Sequence, residues 1–186
     1  MSERRAVTYP ERVACAENTH KPYRAKAVFV AGGEILSLVH AFKYRRHRFL
    51  GDAMGKLMSL SLHDSSLLRR DSVLLPVPLH RTRMRERTFN QSEILAGKVA
   101  ETAGIPVIAG ALERKRLTMS QAELPAERRW LNVRDSFTVK MGSLVEGRDI
   151  ILVDDVVTTG ATVSSCAGVL EDAGAKSVSV LGFVVA

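Results

Sequence analysis

Cysteine is almost missing from this chain. Two thiols in 186 residues, Cys15 and Cys166, exclude a disulfide framework and a cysteine-based metal site. Cys166 falls inside a helical pattern and reads as a small buried apolar residue; Cys15, a lone thiol in a polar stretch, receives no role. Aromatic residues are scarce at 5%, which counts against a surface that stacks single-stranded bases. No apolar run approaches the ~18 residues that span a bilayer. The opening MSERRAVTYPER has no hydrophobic core of a secretory leader. A cytoplasmic location without membrane contact is expected. Repeats and low-complexity tracts are absent too.

Positive charge is in excess. Lysine and arginine number 27 against 20 acids, a net charge of +7, and the isoelectric point is near 9.8. The cations cluster in KYRRHR (43–48) and HRTRMRER (80–87). Such clusters suit an anionic ligand or a solvated basic face. Apolar content of 46% and charged content of 25% are ordinary for a globular domain, and the length fits one.

The chain alternates helix and strand. VAETAGIPV (99–107) and LEDAGAKSVSV (170–180) each end a helical pattern at glycine and continue into a β-rich run. VLLPVPL (73–79), DIILVD (149–154) and SVSVLGFVVA (177–186) are continuous apolar runs, as strands covered on both faces require. Helices are predicted from near Glu34, over 48–62, over 90–103 behind an Asn90/Glu93 capping pair, and over 162–173 with Val163, Ala167, Leu170 and Ala173 on one stripe. ERKRLTMSQAELP (113–125) lacks an apolar period and reads as a long loop. A short helix over 125–132 and a strand near 136–140 follow. These patterns predict an α/β fold with a mostly parallel sheet.

The stretch DDVVTTGAT (154–162) carries the chemistry. It joins a strand that ends at Asp154 to a helix that begins near Thr162. Ligands bind at such carboxyl ends of parallel strands. TTGAT offers successive backbone N–H groups, a glycine for tight curvature, threonine hydroxyls and a helix N-terminus, which together suit a phosphate monoester. Asp154 and Asp155 can accept from vicinal hydroxyls or help hold a divalent cation. The stretch reads as a cradle for a sugar phosphate.

IILVDDVVTTGAT (150–162) resembles the 13-residue signature of type I phosphoribosyltransferases. LPVPLHRTRMRERTFNQSEILA (75–96), RKRLTMSQAELPAERRWLNVRDSF (114–137) and FKY (42–44) are similar to the ComF/GntX-like branch; the resemblance covers roughly residues 25–186. The branch often has glycine where Thr88 stands, so a different turn is expected there. Many members carry a four-cysteine zinc module. Only Cys15 lies in the corresponding region, so no zinc is expected.

The resemblance implies a type I phosphoribosyltransferase fold over 1–186. Residues 1–24 would have little regular structure, 25–65 would give a strand, helices and a small N-terminal hood, and 66–186 the core. It implies binding of phosphoribosyl pyrophosphate and transfer of the phosphoribosyl group to a nitrogen acceptor with Mg2+. Asp154 and Asp155 would hold the ribose hydroxyls, directly or through Mg2+. Val157, Thr158, Thr159, Gly160, Ala161 and Thr162 would bind the 5-phosphate. Leu79, His80, Arg81 and Arg87 would meet pyrophosphate, with Arg81 the leading candidate. Arg114, Lys115, Arg116 and Gln121 would belong to a mobile loop. Thr158 stands where purine-specific members carry an acid, so nothing points to a purine acceptor. A phosphoribosyl pyrophosphate sensor without turnover is an alternative. The branch adds a third reading, DNA uptake in competence, with single-stranded DNA or a competence protein as partner. A homodimer is a further expectation.

Overall fold

The computed structural model describes residues 12–14, 23–44, 47–115 and 136–186. Five strands, β1 (Arg12–Ala14), β2 (Tyr23–Val30), β3 (Ser72–Pro76), β6 (Asp149–Val157) and β7 (Ser177–Val185), form one sheet in the spatial order β1-β2-β7-β6-β3. β2, β7, β6 and β3 are mutually parallel, and β1 pairs antiparallel with β2. β4 (Leu112–Arg114) and β5 (Phe137–Val139) form a separate antiparallel pair. The helices are α1 (Gly33–Tyr44), α2 (Arg48–His63), α3 (Arg81–Arg87), α4 (Gln91–Ala103) and α5 (Ala161–Asp172).

The continuous apolar runs are explained by two cores, one on each face of the sheet. Val73, Leu75, Ile150 and Leu152 face one way and pack with Val163, Cys166 and Leu170 of α5. Leu74, Ile151 and Val153 face the other way and pack with Phe42 of α1, Met54 and Met58 of α2, and Leu95 and Val99 of α4. Adjacent residues of one strand point to opposite faces, so burying both faces leaves no polar alternation. Cys166 is fully buried, as its helical pattern suggested, and burial pushes its thiol well up.

The stretch 25–65 contributes β2 to the main sheet and lays α1 and α2 on its face. α2 lies close against α4: a Cβ at Gly55 would come within 2.5 Å of Lys98 Cβ, so only glycine fits there. A three-residue strand, β1, lies inside the stretch expected to lack regular structure.

Three boundaries differ from expectation. β3 stops at Pro76 instead of running to 79, because prolines at 76 and 78 cannot donate to a ladder. The expected loop over 113–125 begins instead as β4, which ends at Arg114. β6 continues past Asp154 to Val157, because β7 pairs with it as far as Val157↔Val185. On its other side the pairing with β3 ends at Pro76↔Val153. The last four residues of β6, Asp154 to Val157, therefore project beyond the end of β3.

Candidate functional site

The projecting end of β6 carries both acids, and each meets a different helix of the layer that contains α1, α2 and α4. Asp155 is buried and turns toward α1, where Lys43 Nζ lies 2.9 Å from its Oδ2. Asp154 is half-buried and turns toward the first turn of α4. Its Oδ1 accepts from Ser92 Oγ at 3.1 Å and from the N–H of Asp155 at 2.9 Å. Burial, and next the charge of Asp155, push the Asp154 carboxyl up to about 7, against the pull of Lys43 and of those two hydrogen bonds.

α4 is placed for this contact by Asn90. Its side chain accepts from the Ser92 N–H at 3.2 Å, one residue earlier than a capping box with Glu93, and donates to Val77 O at 3.1 Å. One buried residue thus caps α4 and ties it to the chain leaving β3.

Beyond β6 the bend is three residues long, Thr158, Thr159 and Gly160. Gly160 has φ 77°, a left-handed backbone that favours glycine. Gly160 is also the N-cap residue of α5, which starts at Ala161. Thr159 is exposed, Thr158 and Thr162 are half-buried, and Gly160 and Ala161 are buried. Val157 belongs to the strand and packs its side chain against the core. The first N–H groups of any helix lack intrahelical partners and carry partial positive charge. A short glycine bend into α5 beside two carboxylates is therefore a place where a phosphate and a diol can be held at once.

The candidates for pyrophosphate lie on and before α3. Leu79 and His80 are half-buried in the loop after β3. His80 Nδ1 accepts from the Thr82 N–H at 3.2 Å, so the imidazole caps α3. Arg81 is 81% exposed and donates to Glu113 Oε1 at 3.0 Å; Lys140 meets the other oxygen of Glu113 at 2.8 Å, and these bonds hold the Glu113 carboxyl below its usual range. Arg87 turns instead toward α1 and α4. It donates to Tyr44 Oη at 3.0 Å and to Gln91 Oε1 at 3.1 Å, with its guanidinium 5.0 Å from the centre of the Tyr44 ring. The two arginines are committed to different partners. Thr88, at the position expected to alter the turn, keeps a left-handed backbone with φ 67°.

Arg114 is the last residue of β4 and stacks over the Phe137 ring at 5.4 Å; burial lowers its guanidinium pKa from the ordinary value. Lys115 is exposed, and its N–H donates to Ser136 O. Arg116, Gln121 and the helix expected over 125–132 lie outside the described residues.

Lys43 and Ser92 are the residues that sequence reasoning missed. Lys43 sits in the FKY motif but reads as one member of a basic cluster. Ser92 reads as a second polar residue behind a cap.

Residues 90–185 match the family described as "Phosphoribosyl transferase domain". The chain belongs to this family, with the α/β fold of parallel strands flanked by helices described above. The curated relatives it matches are named for competence and DNA utilization. It is 27% identical over 149 residues to "Competence protein F" of Haemophilus influenzae, covering 78% of this chain and 65% of that protein. It is 34% identical over 146 residues to "DNA utilization protein YhgH" of Escherichia coli O157:H7, covering 77% and 63%. It is 31% identical over 142 residues to "Competence protein ComFC" of Streptococcus pneumoniae, covering 76% and 61%. The chain thus spans less than two thirds of the length of these relatives. Among the described residues no helix is long and apolar enough to cross a membrane.

Proposed function

We propose that this protein binds phosphoribosyl pyrophosphate and transfers its phosphoribosyl group to a nitrogen nucleophile. The observation that carries the reading is the junction at the end of β6: Asp154 and Asp155 on strand residues that outrun β3, followed at once by the bend at Gly160 and the start of α5. Thr158 to Thr162 would hold the 5-phosphate, and the acids the ribose hydroxyls. Bond breaking between C1 and pyrophosphate passes through an oxocarbenium-like state. The protein's task is then to position the nucleophile and to stabilise departing charge. Arg81 and Arg87 flank α3 and could each turn to pyrophosphate by exchanging a surface partner, Glu113 or Tyr44, for a ligand oxygen.

Mg2+ prefers oxygen ligands and keeps several waters. The aspartates supply that donor chemistry, and among the described residues no group of three or more His, Cys, Asp or Glu side chains forms a closed metal site. The residues fit a cation that completes its shell with ligand oxygens and water, held by Asp154 and Asp155, whose charge would offset that of pyrophosphate.

Calorimetric titration with phosphoribosyl pyrophosphate and Mg2+ tests the reading. Saturable binding that is lost in an Asp154→Asn, Asp155→Asn double variant supports it; absence of binding overturns it. Pyrophosphate release that needs both an acceptor and Mg2+ separates a transferase from a sensor.

A second reading rests on the relatives named for competence and DNA utilization, together with the net charge of +7. In that reading single-stranded DNA or a protein of the competence machinery is the partner. DNA binding that weakens steeply with salt and survives the double substitution supports it. Binding that is absent or indifferent to salt removes it.

A further inference from the structure

The two acids differ in their partners. Asp154 takes two neutral donors, Ser92 Oγ and the N–H of Asp155. Asp155 takes a full positive charge, with Lys43 Nζ 2.9 Å from Oδ2 and side-chain exposures of 21% for the lysine and 8% for the aspartate. Two adjacent carboxylates brought out of water repel each other, and a partly buried charge is tolerable when it is paired. Lys43 supplies that pairing from a separate element, the last turn of α1, where the helix dipole also favours a cation. The next residue, Tyr44, accepts from Arg87, which fixes the end of α1 against α3. The contact is an ion pair by distance, without the alignment of a hydrogen bond. The lysine is partly exposed beside the projecting end of β6.

We propose that Lys43 is a built-in counter-cation of the acid pair, which takes the place of a divalent ion when the pentose monophosphate portion of the ligand binds. The proposal rests on the ribose reading given above. Lys43 holds the Asp155 carboxylate in place and leaves the pair with one net negative charge instead of two. The diol of ribose 5-phosphate then finds ordered acceptors without Mg2+. A divalent ion becomes necessary only when pyrophosphate brings further negative charge to the site.

Calorimetric titration of ribose 5-phosphate into the full chain, once with chelator and once with Mg2+, tests this in the wild type and in Lys43→Met and Lys43→Arg. The wild-type affinity is expected to change by less than about threefold between the two buffers, as for a weak screened contribution. Lys43→Met should bind about tenfold or more weakly in chelator, the loss of one charge-assisted contact, and recover most of that loss with Mg2+. Lys43→Arg should behave as wild type. A merely structural role would weaken binding equally in both buffers. A wild type that binds only with Mg2+, or a Lys43→Met that matches wild type in chelator, overturns the proposal alone. Absence of binding by the wild type in either buffer overturns the ribose reading and the proposal with it. Circular dichroism reports whether Lys43→Met folds; if it does not, Lys43→Gln carries the same comparison.

Discussion

Ser92 Oγ and Asp154 Oδ1 lie 3.1 Å apart although 62 positions separate them in the chain. The first turn of α4 is thereby fastened to the projecting end of β6, and the bond favours the charged form of Asp154. Ser92→Ala removes it. The Asp154 titration is expected to move further up from about 7, read by carboxyl carbon resonances in a pH series. Ribose 5-phosphate affinity near neutral pH should fall by a few-fold, about the worth of one hydrogen bond. Raising the pH until Asp154 is ionised should restore part of the loss.

Asp154→Asn should stabilise the fold, and only above the ordinary aspartate value. Its folded value of about 7 lies above the ordinary 3.8, so folding holds its proton more firmly. The stabilising contribution is complete below the ordinary value and disappears as pH climbs through about 7. Asparagine keeps an oxygen acceptor for Ser92 without the charge. The variant should match wild type in acid and exceed it at about pH 8 by on the order of 1 to 3 kcal/mol, discounted because solvent still reaches part of the group. Thermal melts at both pH values check this.

Asp149, at the other end of the same strand, should behave oppositely. It accepts from Ser177 Oγ at 2.6 Å, with Lys176 Nζ at 3.3 Å and Arg69 at 3.8 Å. The Ser177 hydrogen bond first, and then Lys176, hold its carboxyl below the usual range despite burial. That stability is present above the ordinary aspartate value and is lost as pH falls through the lowered one. Asp149→Asn should cost about 1 to 3 kcal/mol at neutral pH. In urea titrations the difference should close on acidification.

Thr88→Gly should raise stability. A β-branched residue with φ 67° is strained, and glycine relieves the strain while adding freedom to the unfolded chain. The net gain is about 0.5 to 1 kcal/mol, visible as a higher urea midpoint at unchanged slope.

The layered fold was legible because burial on both faces leaves an unmistakable trace. Ile150, Ile151, Leu152 and Val153 are all fully buried, alternately in the two cores, and an uninterrupted apolar run says so directly. The bend at Gly160 was legible for a similar reason, since a glycine between threonines marks tight backbone curvature. The end of β6 was not. Asp154 and Asp155 are poor strand residues by propensity, and they remain in the strand because β7 continues beside them. That cause lies in another part of the chain. Lys43 was hidden among neighbouring cations, and its role appears only once α1 is docked over β6. His80 was expected beside pyrophosphate; that its ring also accepts from the Thr82 N–H and caps α3 was not legible.

β6 outruns β3 because prolines at 76 and 78 keep the shorter strand from growing alongside it. The acids thus stand on a strand end that β7 pairs on one side and that has no β3 residue beside it on the other. A fold that leaves a strand edge open by stopping its neighbour early can change what stands beside that edge through the length of the following loop, with the paired part of the sheet left as it is.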